Sequence, residues 1–109
     1  MEFKKACSRY IPMSETMFYI LLSSNEERHG YGIMQHVSEL TAERIVLGAG
    51  TIYSSLSKLE GDGLIKPVTE ENRRKTYIIT ELGKQVLAVE INRIAQLYQD
   101  SKKVLEGLK

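Results

Sequence analysis

Apolar residues recur at helical spacing in several stretches of the chain, which predicts a mainly helical protein. The first such stretch follows Ser14 and contains Met17, Ile20 and Leu21. The second covers residues 31–41, and the third is a helix of about twelve residues that ends near Gly61. The apolar positions of these last two helices are Ile33, Val37 and Leu40, then Ile52, Leu56 and Leu59.

Strand-like patterns lie between the helices and predict a small β-hairpin. After Gly61-Asp62-Gly63, residues 64–69 form one strand, whose Pro67 suits an edge position. Residues 70–75 form a basic loop, and residues 75–80 form the partner strand. The short β-branched segment 44–47 predicts a further small strand, whereas residues 25–30 predict only a turn-rich break. Residues 1–12 are polar and basic, and Pro12 ends or bends what precedes it.

Capping residues place the start of two helices. Ser14 predicts the N-cap of the first helix, and Thr80, followed by Glu81, predicts that of the last one. The last helix should run to about residue 106, where Gly107 stops it, giving a length of ~39 Å. Gly50 is expected where the third helix opens, at a point where a side chain would crowd the backbone, and Gly63 is expected to end the turn.

Three helices followed by a two-stranded hairpin are the element order of a winged helix-turn-helix domain. The predicted fold class is therefore mainly α with a small β-hairpin. Residues 1–80 would form the winged domain, and residues 81–109 would form a long C-terminal dimerisation helix.

The third helix carries short polar side chains on the face opposite its apolar stripe. Such a face can approach a nucleic-acid groove closely while a basic loop contacts the adjacent phosphates. A merely solvated polar face is the alternative. Tyr53, on the flank of the stripe, either contacts the DNA backbone or wedges into the edge of the core. The candidate DNA-binding residues are Thr51, Tyr53, Ser54, Ser57, Lys58, Arg73, Arg74 and Lys75.

Charge supports this interpretation only locally. The net charge of the 109 residues is +1, so global charge does not indicate a polyanionic partner. Three adjacent cations, however, lie in the predicted loop at 73–75. Lys4, Lys5 and Arg9 form a second basic group, which could add phosphate contacts from an N-terminal arm.

Other functional classes find little support in the composition. The single cysteine, Cys7, cannot form an internal disulfide, and no apolar segment has the length of a membrane span, so we expect a cytoplasmic protein. His29 and His36 lack a third metal ligand at useful spacing. Neither glycine pair has the lysine and spacing of a phosphate-binding loop. We therefore expect no enzyme activity, no metal and no cofactor.

The last helix is too long to lie wholly against a domain of ~25–30 Å. Its apolar positions step by threes and fours, so either they cover the core of their own domain throughout or the distal turns pair with a second copy of the chain. The second alternative predicts an isologous homodimer whose two reading helices face one side of a duplex. The candidate dimerisation residues are Leu87, Ile91, Ile94, Tyr98 and Leu105, with Leu108 continuing the stripe.

Several motifs in order resemble the PadR family of bacterial transcriptional regulators. They are Gly30-Tyr31-Gly32-Ile33, Gly50-Thr51-Ile52-Tyr53 with Leu56, Leu59 and Glu60, Gly63-Leu64-Ile65, and the block Arg73-Arg-Lys-Thr-Tyr77-Ile-Ile-Thr-Glu-Leu-Gly83. The resemblance covers residues 13–83, and the remaining helix agrees with the short subgroup of that family. It implies a homodimeric repressor that binds a palindromic operator and is often released by a small aromatic effector.

The chain departs from the family at several positions. Ser54 and Asn72 replace a common proline and glycine, and Ile94 falls where short members that hold flat ligands commonly have tryptophan, a residue this chain lacks. Tyr10 and Tyr98 remain candidates to line an effector pocket. A winged-helix module that binds another protein without an operator is the alternative function, which the near-neutral net charge keeps open. A third alternative is a small ligand-sensing protein without a DNA role.

Overall fold

A computed structural model of the protein describes residues 1–108, so Lys109 of the predicted dimerisation helix lies outside the described residues. The helices are α1 (Phe3–Tyr10), α2 (Glu15–Leu22), α3 (Gly30–Leu40), α4 (Ala49–Gly61) and α5 (Glu81–Leu108). The strands are β1 (Arg28–His29), β2 (Ile65–Glu71) and β3 (Arg74–Ile79), and a single 3₁₀ turn covers Ser23–Asn25. This architecture confirms the predicted fold class.

Both predicted caps are present. The Ser14 hydroxyl accepts the backbone N–H of Met17 at 3.1 Å, which starts α2. The Thr80 hydroxyl accepts the N–H of Gly83 at 3.1 Å and donates to the Gly63 carbonyl at 2.6 Å, so one side chain starts α5 and ties it to the preceding turn. Gly63 has φ +80°, the left-handed conformation that favours glycine, as expected for the end of this turn.

The hairpin is longer and its turn tighter than predicted. Strands β2 and β3 pair antiparallel up to Glu71 and Arg74, so the connection is only Asn72 and Arg73. Both residues have positive φ (51° and 65°), the combination of a two-residue turn whose twist matches that of the strands. The predicted loop over 70–75 was therefore wrong. Because alternation of side chains does not mark where pairing stops, the strand ends could not be read from the pattern.

The predicted strand at 44–47 was also wrong. Residues 45–48 have no regular structure, and the third strand is β1, which pairs with Thr76 and Tyr77 of β3 in the sheet order β1-β3-β2. The backbone N–H of Ile45 donates to the Thr41 hydroxyl at 3.1 Å instead of to a neighbouring strand. This local bond, with positive φ at Ala42 and Glu43, turns the chain from α3 into α4.

Helix α1 is an additional element, so four helices and not three precede the hairpin. Its Ala6 and Tyr10 are buried in the core that α2, α3, α4 and the sheet build around Ile20, Leu56 and Leu64. The missed signal is local, since Phe3, Ala6, Cys7 and Tyr10 recur at helical spacing among basic and polar residues. Leu40, which we placed on the apolar stripe of α3, is exposed at the end of that helix.

Helix α5 leaves the domain after its first three turns. Its buried residues are Gly83, Val86 and Glu90, and every residue from 94 to 108 is exposed. The helix continues through Gly107 to Leu108, so the predicted stop near residue 106 was wrong. Its 28 residues correspond to ~42 Å. They account for the elongated shape of 57 × 33 × 20 Å. None of the helices in residues 1–108 is long and apolar enough to cross a membrane.

Candidate nucleic-acid interface

The outer face of α4 is a ridge of backbone and very short side chains. Gly50, Ser54, Ser57 and Gly61 follow one another along the side of the helix opposite Ile52, and all four are exposed. A Cβ atom added at Gly50 or Gly61 would meet nothing within 4 Å. Our expectation that a side chain at Gly50 would crowd the backbone was therefore wrong, because the glycine faces open space.

The two flanks of α4 differ. Tyr53 is 52% exposed, and its ring lies over Gly30 at the start of α3, where an added Cβ would be 2.8 Å from the ring. On the other flank, exposed Thr51 and Lys58 face the side of α1, and the Lys58 ammonium lies 5.4 Å from the centre of the Tyr10 ring. Tyr53 thus packs against the edge of the domain, as one alternative predicted, and keeps half of its surface exposed.

The three cations of the hairpin have different surroundings. Arg73 is in the turn and Arg74 is the first residue of β3, opposite Glu71. Within residues 1–108, neither guanidinium makes an ion pair or a side-chain hydrogen bond. Lys75, in contrast, points back to α4, and its ammonium is 3.5 Å from the Glu60 carboxylate. Two of the three predicted cations are therefore free for a partner, and the third holds the hairpin against α4.

A groove of about 1160 Å³ separates the hairpin from α3 and α4. Tyr31, Gln35, Tyr53, Arg73 and Arg74 are among its lining residues. Neither Tyr31 nor Gln35 was among the candidate DNA-binding residues, although Tyr31 lies in the first of the family motifs. The available signal was their place in α3, since both lie off the stripe that contains Ile33 and Val37, yet Tyr31 is a large aromatic residue left exposed.

A carboxylate at the base of the hairpin fixes its position. Glu27 accepts hydrogen bonds from the Thr76 hydroxyl at 2.6 Å and the Thr69 hydroxyl at 3.1 Å, and these bonds lower the pKa of Glu27. Thr69 and Thr76 lie on neighbouring strands, so one side chain bridges β2 and β3. The free cations at the turn are thus presented by a braced hairpin.

The basic N-terminal residues are in a helix and not in an extended arm. Lys4 and Lys5 are exposed on α1, which lies against α5. Arg9 is bound to Asp62, the residue that follows α4, with 2.8 Å between the guanidinium and the carboxylate.

Both histidines lie within hydrogen-bond distance of other residues of the domain. His29 Nδ1 is 3.2 Å from the Lys75 carbonyl and His36 Nδ1 is 2.7 Å from the Ser23 hydroxyl. No group of three metal-ligating side chains occurs within residues 1–108.

The candidate dimerisation residues divide into two sets. Leu87 is half-buried and packs against the core, whereas Ile91, Ile94, Tyr98 and Leu105 are exposed. Leu97, Val104 and Leu108 are exposed beside them. These distal residues continue the side of α5 that buries Val86 and Glu90, so a single apolar side of the helix runs from the core into solvent.

Helices α3 and α4 form a helix-turn-helix pair, and a hairpin with free arginines lies beside the second helix. This arrangement defines a winged helix-turn-helix protein, the class in which the second helix of the pair reads DNA. The chain belongs to the PadR-like family of transcriptional regulators, whose family model matches residues 17–89. The sequence resemblance to this family is thereby confirmed, and the family is one of transcriptional regulators.

The chain is also similar to individual proteins in sequence or in fold. The chain is 29% identical to a transcriptional regulator from Clostridium thermocellum, with a TM-score of 0.61 over 84% of this chain and 86% of that one. A PadR-like transcriptional regulator from Bacillus cereus has the same fold, at 22% identity and a TM-score of 0.67 over 83% and 90% of the two chains. A 37.1 kDa protein of a Streptomyces fradiae transposon is 32% identical over 69 residues, which are 63% of this chain but only 19% of that protein.

Proposed function

We propose that the protein is a homodimeric transcriptional repressor that binds a palindromic operator in double-stranded DNA. The observation that carries the proposal is the bare outer face of α4 beside two arginines that have no partner in residues 1–108. A helix whose outer face lacks long side chains can bring its backbone close to base edges. Cations on a neighbouring hairpin can then bind the phosphates that flank the groove.

Six of the candidate contacts fit this arrangement directly. Ser54 and Ser57 would face the major groove, Thr51 and Tyr53 would contact its walls, and Arg73 and Arg74 would bind the backbone. Lys58 and Lys75 would contribute less, because the first lies over Tyr10 and the second is paired with Glu60. A cation already engaged within the protein gains less from a phosphate than a free one.

The homodimer is supported by the exposed apolar side of α5 beyond residue 90. In our proposal residues 1–80 form the winged domain and residues 81–109 the dimerisation helix. A bound dimer occludes operator DNA from the transcription machinery, hence a repressor. The cytoplasm, where DNA is available in a bacterium, is the proposed location.

The family resemblance also implies a small effector. We expected Tyr10 to be a candidate to line its pocket, but Tyr10 is 4% exposed and its hydroxyl is bound to Asp62, so its side chain cannot line an open pocket.

Arg74→Ala should weaken binding to duplex DNA and reduce its salt dependence. Each phosphate contact releases about 0.9 of a counterion, so the slope of log K against log salt should fall by about one for each protomer bound. Fluorescence anisotropy with a random-sequence duplex between low and moderate salt measures both quantities. Lys103→Ala removes an exposed cation from the polar side of α5 and is the matched control, expected to change neither. An unchanged slope for Arg74→Ala would remove the hairpin from the interface.

Gly50→Ala should stabilise the protein and yet weaken DNA binding. Alanine favours a helix over glycine by about 0.5–1 kcal/mol, and nothing in the protein opposes a methyl group at this position. On a face that approaches base edges, the same methyl group should lower affinity. Thermal unfolding and anisotropy measure the two effects. Gly61→Ala adds the same methyl group at the far end of α4, and we expect it to leave affinity unchanged, because the N-terminal part of a reading helix makes the base contacts.

The alternative function, a module that binds another protein without an operator, predicts a different result. Random duplex DNA would not be retained at low salt, and Gly50→Ala would have no effect on retention. Binding that appears at low salt and disappears at high salt instead supports the DNA-binding proposal.

A further inference from the structure

Helix α1 packs against α5, and the chain at and just after its C-terminal end is hydrogen-bonded both to the end of α4 and to α5. At its C-terminal end, the Tyr10 hydroxyl donates to one oxygen of Asp62 at 2.7 Å, while Arg9 donates to the other at 2.8 Å. Asp62 is the residue directly after α4. The buried end of α1 is thus tied to the C-terminal end of the reading helix.

A second bond lies three residues further along the chain. The backbone N–H of Met13 donates to the Glu90 carboxylate at 2.6 Å. Glu90 is on α5 and is 0% exposed, which is unusual for a carboxylate. Arg93 donates to the same carboxylate through its Nε at 2.5 Å and through a terminal nitrogen at 3.1 Å. These bonds lower the pKa of Glu90 although burial opposes ionisation, so the carboxylate is charged.

Glu90 marks the point where α5 leaves the domain. The last buried residue of α5 is Glu90 itself, and the exposed apolar side begins with the next turn. A buried carboxylate with three donors is directional, and losing one of them is costly, so the bond to Met13 fixes the backbone of residue 13 relative to α5. Together, Tyr10 and Met13 connect α4 to α5 through four residues of one short segment.

We propose that Tyr10 and Glu90 are positioning residues that fix the orientation of the reading helix α4 relative to the C-terminal helix α5. This proposal rests on the proposed function, because in a DNA-binding dimer the orientation of α4 relative to α5 sets the distance between the two reading helices. Apolar packing of α1 alone would allow small rotations, whereas two charged hydrogen bonds on either side of residues 11 and 12 do not. The pair would act in series, because release of either bond interrupts the connection through residues 10–13 and leaves only the contacts at the start of α5, such as that of Thr80 with Gly63, to set the angle between α4 and α5.

The orientation can be measured within one protomer by double electron–electron resonance. Spin labels at Ser57→Cys and Asn92→Cys, in a Cys7→Ser background, report the distance between the outer face of α4 and the exposed part of α5. Dilution with unlabelled protein suppresses signals between protomers. We expect a narrow distance distribution that broadens about twofold with Tyr10→Phe or Glu90→Gln, because each substitution weakens one of the two connections. The double variant should broaden it no further.

The control is Tyr19→Phe. It also removes a bonded tyrosine hydroxyl, which accepts from Arg44 at 3.0 Å, but this bond joins α2 to the segment before α4 and does not involve α1 or α5. The distribution should keep its width in this variant. An unchanged width with Tyr10→Phe and Glu90→Gln, in protein shown by thermal unfolding to be folded at the assay temperature, would overturn the proposal.

A second measurement tests the consequence for DNA. A random duplex of about 30 base pairs accommodates two reading helices one turn apart, whereas one of about 12 accommodates one. We expect Tyr10→Phe to lower affinity for the long duplex about fivefold or more and to leave the short duplex unaffected, since only the pair depends on alignment. Equal losses on both duplexes would contradict positioning. If the unaltered protein binds neither duplex, the proposed function fails, while the spin-label distances still decide whether the two residues orient the helices.

Discussion

Gly83→Ala should destabilise the protein by more than about 3 kcal/mol, because the new methyl group has no space. A Cβ atom at this position would lie 2.1 Å from the Leu64 carbonyl oxygen and 2.7 Å from a side-chain carbon of Ile79. The oxygen belongs to the backbone and accepts the Thr80 N–H at 3.0 Å, so it cannot move without losing the link between the sheet and α5. Thermal or urea unfolding measures the loss, which corresponds to about 10 °C or more in melting temperature.

Gly107→Ala is the matched control, since it makes the same substitution in the same helix. Nothing lies within 4 Å of a Cβ at this position, so the variant should be as stable as the parent or more stable. Equal stability of Gly83→Ala and the parent would mean that the first turn of α5 does not press against the Leu64 carbonyl as described.

The double substitution Ile94→Asp with Leu105→Asp should convert the proposed dimer to monomers without unfolding the domain. Both side chains are exposed and lie beyond Glu90, so carboxylates cost only a small loss of helix propensity in the isolated chain but would be desolvated at a two-fold interface. Affinity for a long duplex should then fall by about 100-fold, because binding of one reading helix no longer holds a second one at high effective concentration near the same duplex. Sedimentation measures the assembly state, and anisotropy measures the binding.

The control for this experiment is Gln99→Asp, which adds a carboxylate to the opposite side of α5 in the same exposed region. It should retain the dimer and its affinity. A parent protein that sediments as a monomer would end the dimer proposal. A monomeric double variant with unchanged affinity for the long duplex would show that DNA binding does not depend on pairing.

Much of the fold could be predicted because local signals agreed with one another. Ser14 and Thr80 are N-caps followed by apolar positions at helical spacing, and both helices begin where these signals place them. Elements that depend on distant partners were missed. Strand β1 has only two residues and exists because β3 has a free edge beside it, which no local pattern reveals. Helix α1 is a different case, since Phe3, Ala6, Cys7 and Tyr10 do recur at helical spacing, and only its bond to Asp62 and its packing on α5 depend on residues far along the chain.

The sequence predicted which residues lie on the candidate interface, but it could not predict which of their side chains are paired with other residues of the protein. Spacing placed Ser54 and Ser57 on the outer face of α4, where the structure has them. It could not distinguish Arg74, which is free, from Lys75, which pairs with Glu60 next to it in space. Lys58 is a similar case, since its neighbour Tyr10 is 48 residues away. Ion pairs and aromatic contacts of this kind depend on tertiary structure and require coordinates.

At Arg73 the stability of the hairpin turn conflicts with the presence of a charge, because its backbone has positive φ. Glycine would adopt its left-handed conformation without strain, whereas a branched or long side chain there costs about 1 kcal/mol. A turn of Asn followed by Gly would therefore give a more heat-resistant hairpin. An arginine at this position is what is expected where the charge matters more than the stability of the turn. Variants stabilised by such a turn would, for this reason, lose the charge that Arg73 places at the tip of the hairpin.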